Sequence, residues 1–320
     1  MAHRVNIETL ERILARQEPR RFWAEYQPSI RATVAEAPRI SRPSTIPSAK
    51  LGRIIHTLSD QETSCVLLAL LHPGLVDLHE QSMIPRWPAV HPLDGMPGVE
   101  GTGLPVFWGS VEVAERLDYL DALPLVTERR PGEEADTLVF PYIGDLLLFL
   151  RDDDGLYCLN WSVKAQSGDH VLPGPEVRKP YSARDMRKAR ARFEIEIETY
   201  ADVGIRTVAA AASELDPTFV ENLGRIHRFL RRRVSLCDSA HRYALNCFSR
   251  GVDVGEPPRE IVTYLIHRGI CDRDEALTVF YTAVAEGQLR VDLFRSLLVD
   301  YTVPPERVDP IVRYKRWFDR

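Results

Sequence analysis

The sequence has little cysteine, no long apolar run and no apolar signal region at its start. Its five cysteines are widely spaced and include no Cys-x-x-Cys pair, so they support neither a zinc site nor a disulfide framework. The longest apolar segments, residues 65–71 and 146–150, fall well short of the roughly 18 residues that a membrane helix needs. We therefore expect buried thiols, a reducing cytoplasm and no membrane partner.

The charge is unevenly distributed along the chain. The 320 residues carry 41 Lys and Arg against 46 Asp and Glu, a net charge of −5, whereas nucleic-acid binders usually have a basic surface. Residues 1–170 hold 24 acidic and 16 basic side chains, and residues 171–320 hold 22 acidic and 25 basic. Because the average hides a basic half, mild acidity does not exclude a DNA-binding protein.

The pattern along the chain predicts three regions. Residues 1–50 are predicted to form a helical arm, with Ile7, Leu10 and Leu14 at helical spacing, and a Pro-rich linker at 37–48. Residues 51–215 alternate helix and strand signals and predict an α/β domain, a mixed sheet flanked by helices. Residues 216–320 are predicted to be mostly helical with a short strand at 288–293, which indicates a winged-helix domain.

A hairpin carries the first polar residues of interest. Strands are predicted at 143–150 and 157–164, joined by a turn longer than two residues. Asp145 is the lone acid of the first strand, and Lys164 shares one face of the second with Asn160 and Ser162, because strand side chains alternate. A buried carboxylate needs a cation, a metal or several donors. A structural ion pair between Asp145 and Lys164 is the alternative to a catalytic role.

Two glutamates could join this pair. Glu62 ends the motif Ser59-Asp-Gln-Glu at the start of a predicted helix, where a capping box is the alternative to a site role. Glu196 lies on a helix predicted at 182–200, at the border of its apolar arc, and pairing with a nearby Arg is the alternative there. The residues predicted for that arc are Met186, Ala189, Phe193, Ile197 and Tyr200.

Together, these side chains are typical of a metal-dependent phosphodiesterase. Carboxylates hold Mg²⁺, a hard cation that keeps several of its waters. The metal activates a water and neutralises charge on the scissile phosphate, and a lysine stabilises the negative charge that develops.

The segments that contain these residues also occur in the order of one family's motifs. In that order they resemble TnsA-type endonucleases, the nuclease subunits of heteromeric transposases, over roughly residues 50–300. The resemblance implies a restriction-endonuclease-like core followed by a winged-helix domain. The segments are Ser59-Asp-Gln-Glu, Val76-Asp-Leu-His-Glu-Gln, Gly144-Asp, Ser162-Val-Lys and Glu194-Ile-Glu.

The resemblance also implies roles for individual residues. Glu62, Asp145 and Lys164 match the catalytic positions, and Glu62, Asp145, Ser162 and Glu196 the site of a Mg²⁺ that Mn²⁺ could replace. Ser162 stands where the family has Gln. The implied reaction is cleavage of the 5′ (non-transferred) strands at transposon ends, in the bacterial cytoplasm. The implied partners are double-stranded DNA, a DDE-type transposase that processes the 3′ ends, and an AAA+ ATPase regulator that contacts the C-terminal domain.

The basic residues of the helix at 182–200 are the predicted DNA contacts, with a solvated helix face as the alternative. Two other functions remain open. One is a stand-alone restriction or repair nuclease with the same core. The other is a decayed nuclease core kept as an assembly scaffold, which Ser162 favours. The predicted DNA contacts are Arg184, Arg187, Lys188, Arg190 and Arg192.

Overall fold

The computed structural model describes residues 5–38, 42–99, 103–128, 135–174, 177 and 179–320. The chain divides into two compact units. The first comprises Met1–Thr63 and Gly74–Ser213 with Arg320, and the second comprises Ser64–Pro73 and Glu214–Asp319. Within the described residues, no helix is long and apolar enough to cross a membrane.

The first unit begins with a helix and a small hairpin. Helix α1 (Ile7–Gln17) starts after Asn6, whose side chain accepts a hydrogen bond from the Thr9 amide, and it confirms the predicted N-terminal helix. Strands β1 (Ser44–Ser48) and β2 (Arg53–Thr57) pair antiparallel. The predicted linker is therefore wrong at β1, where Ile46 packs opposite Ile55 with both fully buried. Residues 39–41 of that linker lie outside the described residues.

The main sheet has four strands in the order β3-β6-β7-β8. The pairs β3–β6 and β6–β7 are antiparallel, and β7–β8 is parallel across a helical crossover. The fold is thus mixed α/β with helices flanking a mixed sheet, as predicted. The elements from the end of β2 to the last strand are α2 (Asp60–Leu71), β3 (Leu75–Met83), α3 (Ser110–Arg116), β4 (Leu125–Glu128), β5 (Asp136–Val139), β6 (Ile143–Asp152), β7 (Gly155–Lys164), α4 (Ala183–Ala201) and β8 (Arg206–Ala211).

The β6–β7 hairpin is tighter than predicted. Asp152 pairs with Gly155, so the loop has two residues rather than more. Gly155 takes φ 114°, a value that only glycine adopts without strain. Asp152 caps the turn by accepting the amide of Asp154 at 2.9 Å. This close turn fixes the register that brings the ends of β6 and β7 together.

Helix α4 covers one face of the sheet, but with a different side from the one predicted. Ala191, Ile195 and Tyr200 are buried in the cluster that contains Leu147 and Phe149 of β6. Of the predicted arc only Tyr200 is buried, and the polar Glu196 and Thr199 are buried beside it. The arc was wrong because apolar periodicity cannot anticipate a buried face that includes carboxylate and hydroxyl groups.

In the second unit, α2 continues from Ser64 and is joined by five later helices. The predicted strand at 288–293 is wrong: Val291 forms only an isolated bridge with Pro305. The backbone of this segment bonds to two separate places, since the Gln288 and Leu289 amides donate to the Ala283 carbonyl oxygen and the Asp292 amide donates to that of Pro304. The helices are α5 (Pro217–Leu230), α6 (Asp238–Val254), α7 (Pro258–His267), α8 (Arg273–Ala285) and α9 (Pro310–Arg313).

Candidate functional site

Asp145 and Lys164 meet on neighbouring strands. Lys164 Nζ lies 3.3 Å from Asp145 Oδ2 and donates to the Val163 carbonyl oxygen at 3.0 Å. The Val163 amide donates to the same Asp145 oxygen at 2.7 Å. The Asp145 and Lys164 side chains remain 16% and 30% exposed. Both side chains of the pair therefore remain partly accessible to solvent.

Glu62 lies at the first turn of α2 and is almost fully buried. It does part of what a capping residue does, since its amide donates to Ser59 Oγ at 3.1 Å and its Oε2 accepts the Leu58 amide at 2.8 Å. A third bond leaves the helix: Gln81 Nε2 of β3 donates to Glu62 Oε2 at 2.9 Å. The glutamate thus caps its helix and is also tied to the sheet.

Glu196 of α4 faces the sheet and forms no ion pair with an arginine among the described residues. Its Oε1 accepts the Asn160 amide of β7 at 2.8 Å, and the side chain is 3% exposed. Asn160 Oδ1 is buried and has no hydrogen-bond partner among the described residues. At Gly144, next to Asp145, the position of a missing Cβ lies 3.6 Å from Asn160 Oδ1 and 3.7 Å from Glu196 Oε1. The glycine leaves room beside these oxygens.

Electrostatics connect the carboxylates. Burial, and then the charge of Asp145, raise the pKa of Glu62 to about 8, while Lys164 acts in the opposite direction. Burial and then Asp145 also raise the pKa of Glu196, and Arg192 and Lys164 oppose this. The charges of Asp145 and Lys164 therefore act on the pKa of both glutamates. A cation bound here would displace protons, because metal ligands must be deprotonated.

Ser162 is buried in β7, two residues from Asn160 and two residues from Lys164 along the strand. Its carbonyl oxygen lies 3.0 Å from Nε2 of His170, and Nδ1 of the same ring lies 3.2 Å from the Ser167 carbonyl oxygen. The ring also packs against Phe193 of α4, with centroids 5.0 Å apart. His170 thus fixes the backbone at the end of β7, immediately before Lys164.

The donor set fits magnesium chemically. Carboxylate and amide oxygens are hard donors, and the hydrogen bonds that the described residues make to Asp145 use Oδ2, so Oδ1 is the oxygen that would meet a ligand. In the parts of the chain that the structure describes, no three His, Cys, Asp or Glu side chains are grouped to hold a metal ion. Mg²⁺ is commonly held by one or two carboxylates and several waters. The residues therefore fit a metal with few protein ligands.

The predicted basic residues on α4 have different environments. Arg187 contacts Asp121 at 3.1 Å, and Arg190 pairs with Glu194 at 2.7 Å. Arg192 donates to the Ile143 carbonyl oxygen at 3.0 Å, two residues before Asp145. Arg184 and Lys188 are exposed and form no ion pair with any described residue. These two cations have the charge most available to phosphate.

The structure adds Gln81, Asn160 and His170 to the predicted site. Asn160 was placed by strand alternation on the face of Lys164 but given no role. His170 carries no local signal, because it reaches the site through a 3₁₀ turn, Ser167–Val171. Gln81 is inside a strand with φ 50°, which a propensity pattern does not predict.

Comparison with known proteins leaves the family open. A scan against protein-family models gives no match, and a search of the curated proteins gives none either.

Proposed function

We propose that this chain is a TnsA-like endonuclease subunit of a heteromeric transposase, which hydrolyses the 5′ strands at transposon ends in a Mg²⁺-dependent reaction. The observation that carries the proposal is the Asp145–Lys164 pair on β6 and β7, whose charges act on the buried Glu62 and Glu196. Acidic groups whose pKa values are raised by burial and by a specific charged neighbour are candidates for functional sites.

The fold supports the same proposal. A mixed sheet, with a hairpin that carries the aspartate and lysine and a crossover helix that carries a glutamate, is what a restriction-endonuclease-like core requires. The helices of the second unit agree with the helical part of a winged-helix domain, although the expected strand is only the Val291–Pro305 bridge.

Each side chain has a part in this chemistry. Lys164 is held by Asp145 and by the Val163 carbonyl oxygen, so its ammonium group is positioned to neutralise charge that develops on a phosphate. Asp145 and one of the buried glutamates, Glu62 or Glu196, together with waters and with Ser162 nearby, would hold the metal. When bound, Mg²⁺ supplies water activation and charge neutralisation. The partners are a DDE-type transposase, an AAA+ regulator and double-stranded DNA.

A second candidate is a nuclease core kept as an assembly scaffold. It is favoured by Ser162, which is shorter than the family's Gln, and by the lack of a three-residue acidic or histidine cluster in the described part of the chain. A stand-alone nuclease is the third possibility.

Nicking of an end-labelled transposon-end duplex distinguishes the three functions. We expect Mg²⁺-dependent 5′ nicking only when a partner DDE-type transposase is added. Cutting of plain duplex by the purified chain alone would favour the stand-alone nuclease. Complex assembly without nicking, together with no Mn²⁺ binding by calorimetry, would favour the scaffold.

DNA binding provides a separate test on α4. We expect the double variant Arg184→Ala/Lys188→Ala to lower the slope of log affinity against log salt by about 2, because each phosphate contact contributes about 0.9. Arg190→Ala is the matched control, since its guanidinium is already paired with Glu194 and should leave the slope nearly unchanged. Equal slopes for all three proteins, measured by fluorescence anisotropy, would remove Arg184 and Lys188 from the DNA contact.

A further inference from the structure

The backbone of Gln81 departs from regular strand geometry in the middle of β3. Its φ of 50° lies in the left-handed region, inside the nine-residue strand β3. A residue other than glycine is strained in this conformation, and such strain persists only where surrounding contacts impose it. Here the backbone is held from outside the sheet, because the Ser29 amide donates to the Gln81 carbonyl oxygen at 3.1 Å.

The strain occurs opposite the candidate catalytic aspartate. In the β3–β6 pair, Glu80 is opposite Leu146 and Ser82 is opposite Gly144, so Gln81 lies between these pairs and beside Asp145. The side chain of Gln81 is buried, with 4% of the residue exposed. A buried amide this close to a carboxylate needs a defined partner.

That partner is Glu62. The Gln81 amide donates to Glu62 Oε2 at 2.9 Å. The other donors to the Glu62 carboxylate, the Leu58 amide and the Ser59 hydroxyl, belong to the start of its own helix. Helix capping needs only those local bonds. The Gln81 bond is the one that directs the carboxylate to the sheet.

We propose that Gln81 is a positioning residue that holds the Glu62 carboxylate at the Asp145–Lys164 edge, so that Glu62 can act as a metal ligand. The inference rests on the proposed function, because it concerns the metal that this function requires. Groups that orient metal ligands typically change metal affinity by about 10- to 100-fold when they are removed.

The test compares two substitutions that remove the amide in different ways. Gln81→Met keeps the length of the side chain, and Gln81→Gly also relieves the backbone strain. We expect both variants to bind Mn²⁺ about 10- to 100-fold more weakly by calorimetry. We also expect the Mg²⁺ concentration for half-maximal nicking to rise more than the maximal rate falls.

Gln17→Met is the matched control. Its amide is also partly buried and also supports β3, since Gln17 Oε1 accepts the Met83 amide at 3.0 Å, but it bonds to no carboxylate of the residues that the structure describes. We expect this variant to lose thermal stability and to keep wild-type Mn²⁺ affinity.

The possible outcomes distinguish failure of the proposed role of Gln81 from failure of the proposed endonuclease function. Wild-type Mn²⁺ affinity in folded Gln81→Met or Gln81→Gly would overturn the role of Gln81 while leaving the endonuclease proposal intact. Equal losses of affinity in Gln17→Met and Gln81→Met would also overturn it, because general loosening of β3 would then be the cause. Absence of both Mn²⁺ binding and nicking in the wild-type chain would overturn the proposed function itself.

Discussion

Asp145→Ala and Lys164→Ala should each reduce 5′ nicking in the reconstituted transposition reaction by at least about 10²- to 10³-fold, while both variants remain folded. The Asp145→Ala variant lacks the carboxylate that would bind the metal and that also holds Lys164 through the 3.3 Å contact. The Lys164→Ala variant lacks the cation that would face the phosphate. Product formation at the 5′ ends is measured on denaturing gels, and circular dichroism reports the fold.

Asp152→Ala is the matched control for this result. Asp152 is an acid of the same strand, β6, and it pairs with Arg320 at the opposite end of the hairpin from Asp145. We expect it to nick at nearly the wild-type rate. Undiminished nicking by either Asp145→Ala or Lys164→Ala would refute the site assignment.

Glu80→Ala should lower the free energy of unfolding by about 3–5 kcal/mol, the usual cost of leaving one partner of a buried ion pair alone. Arg53 and Glu80 form two parallel bonds, with Nη1–Oε1 at 2.9 Å and Nη2–Oε2 at 2.7 Å. Their side chains are 5% and 0% exposed. Because water cannot reach the guanidinium, nothing replaces the carboxylate. Urea denaturation followed by circular dichroism measures the change.

The double variant Arg53→Met/Glu80→Met tests this cause. Removing both charges avoids an unpaired buried ion, so the double variant should lose clearly less stability than the sum of the two single Met variants. Additive losses would mean that the pair itself contributes little, and that the bond from the His56 amide to Glu80 Oε1 carries the effect.

Sequence reasoning predicted the strands and helix that carry the site. The apolar run at 143–150, the Asp-Gly turn and the return segment at 157–164 predicted β6 and β7, and the alternation of strand side chains placed Asp145 and Lys164 on their faces. Their pairing then brought Asp145 to Lys164 without further information. The capping motif at Ser59–Glu62 likewise indicated the start of α2, since the bonds at a helix start are local.

The predictions that the structure overturns depend on contacts between residues that are distant in the chain. The prediction of the buried side of α4 was wrong because the polar residues Glu196 and Thr199 are buried there. The periodicity of the helix does not report the sheet that it packs against. The composition around Pro47 predicts a linker because it is typical of loops, whereas β1 forms there because it pairs with β2. The predicted strand at 288–293 was wrong as well: its amides bond to Ala283 and Pro304, and the pattern within the segment does not report those partners.

By itself, the sequence determined the class of fold, the hairpin and the acid–lysine pair, because these depend on local periodicity and on the alternation of strand side chains. Only the tertiary structure decided that Glu62 is bonded to β3 as well as to its own helix, that Gln81 is strained beside Asp145, and that α4 buries a carboxylate. Each of these depends on which surfaces meet, and burial is set by neighbours that are distant in the chain.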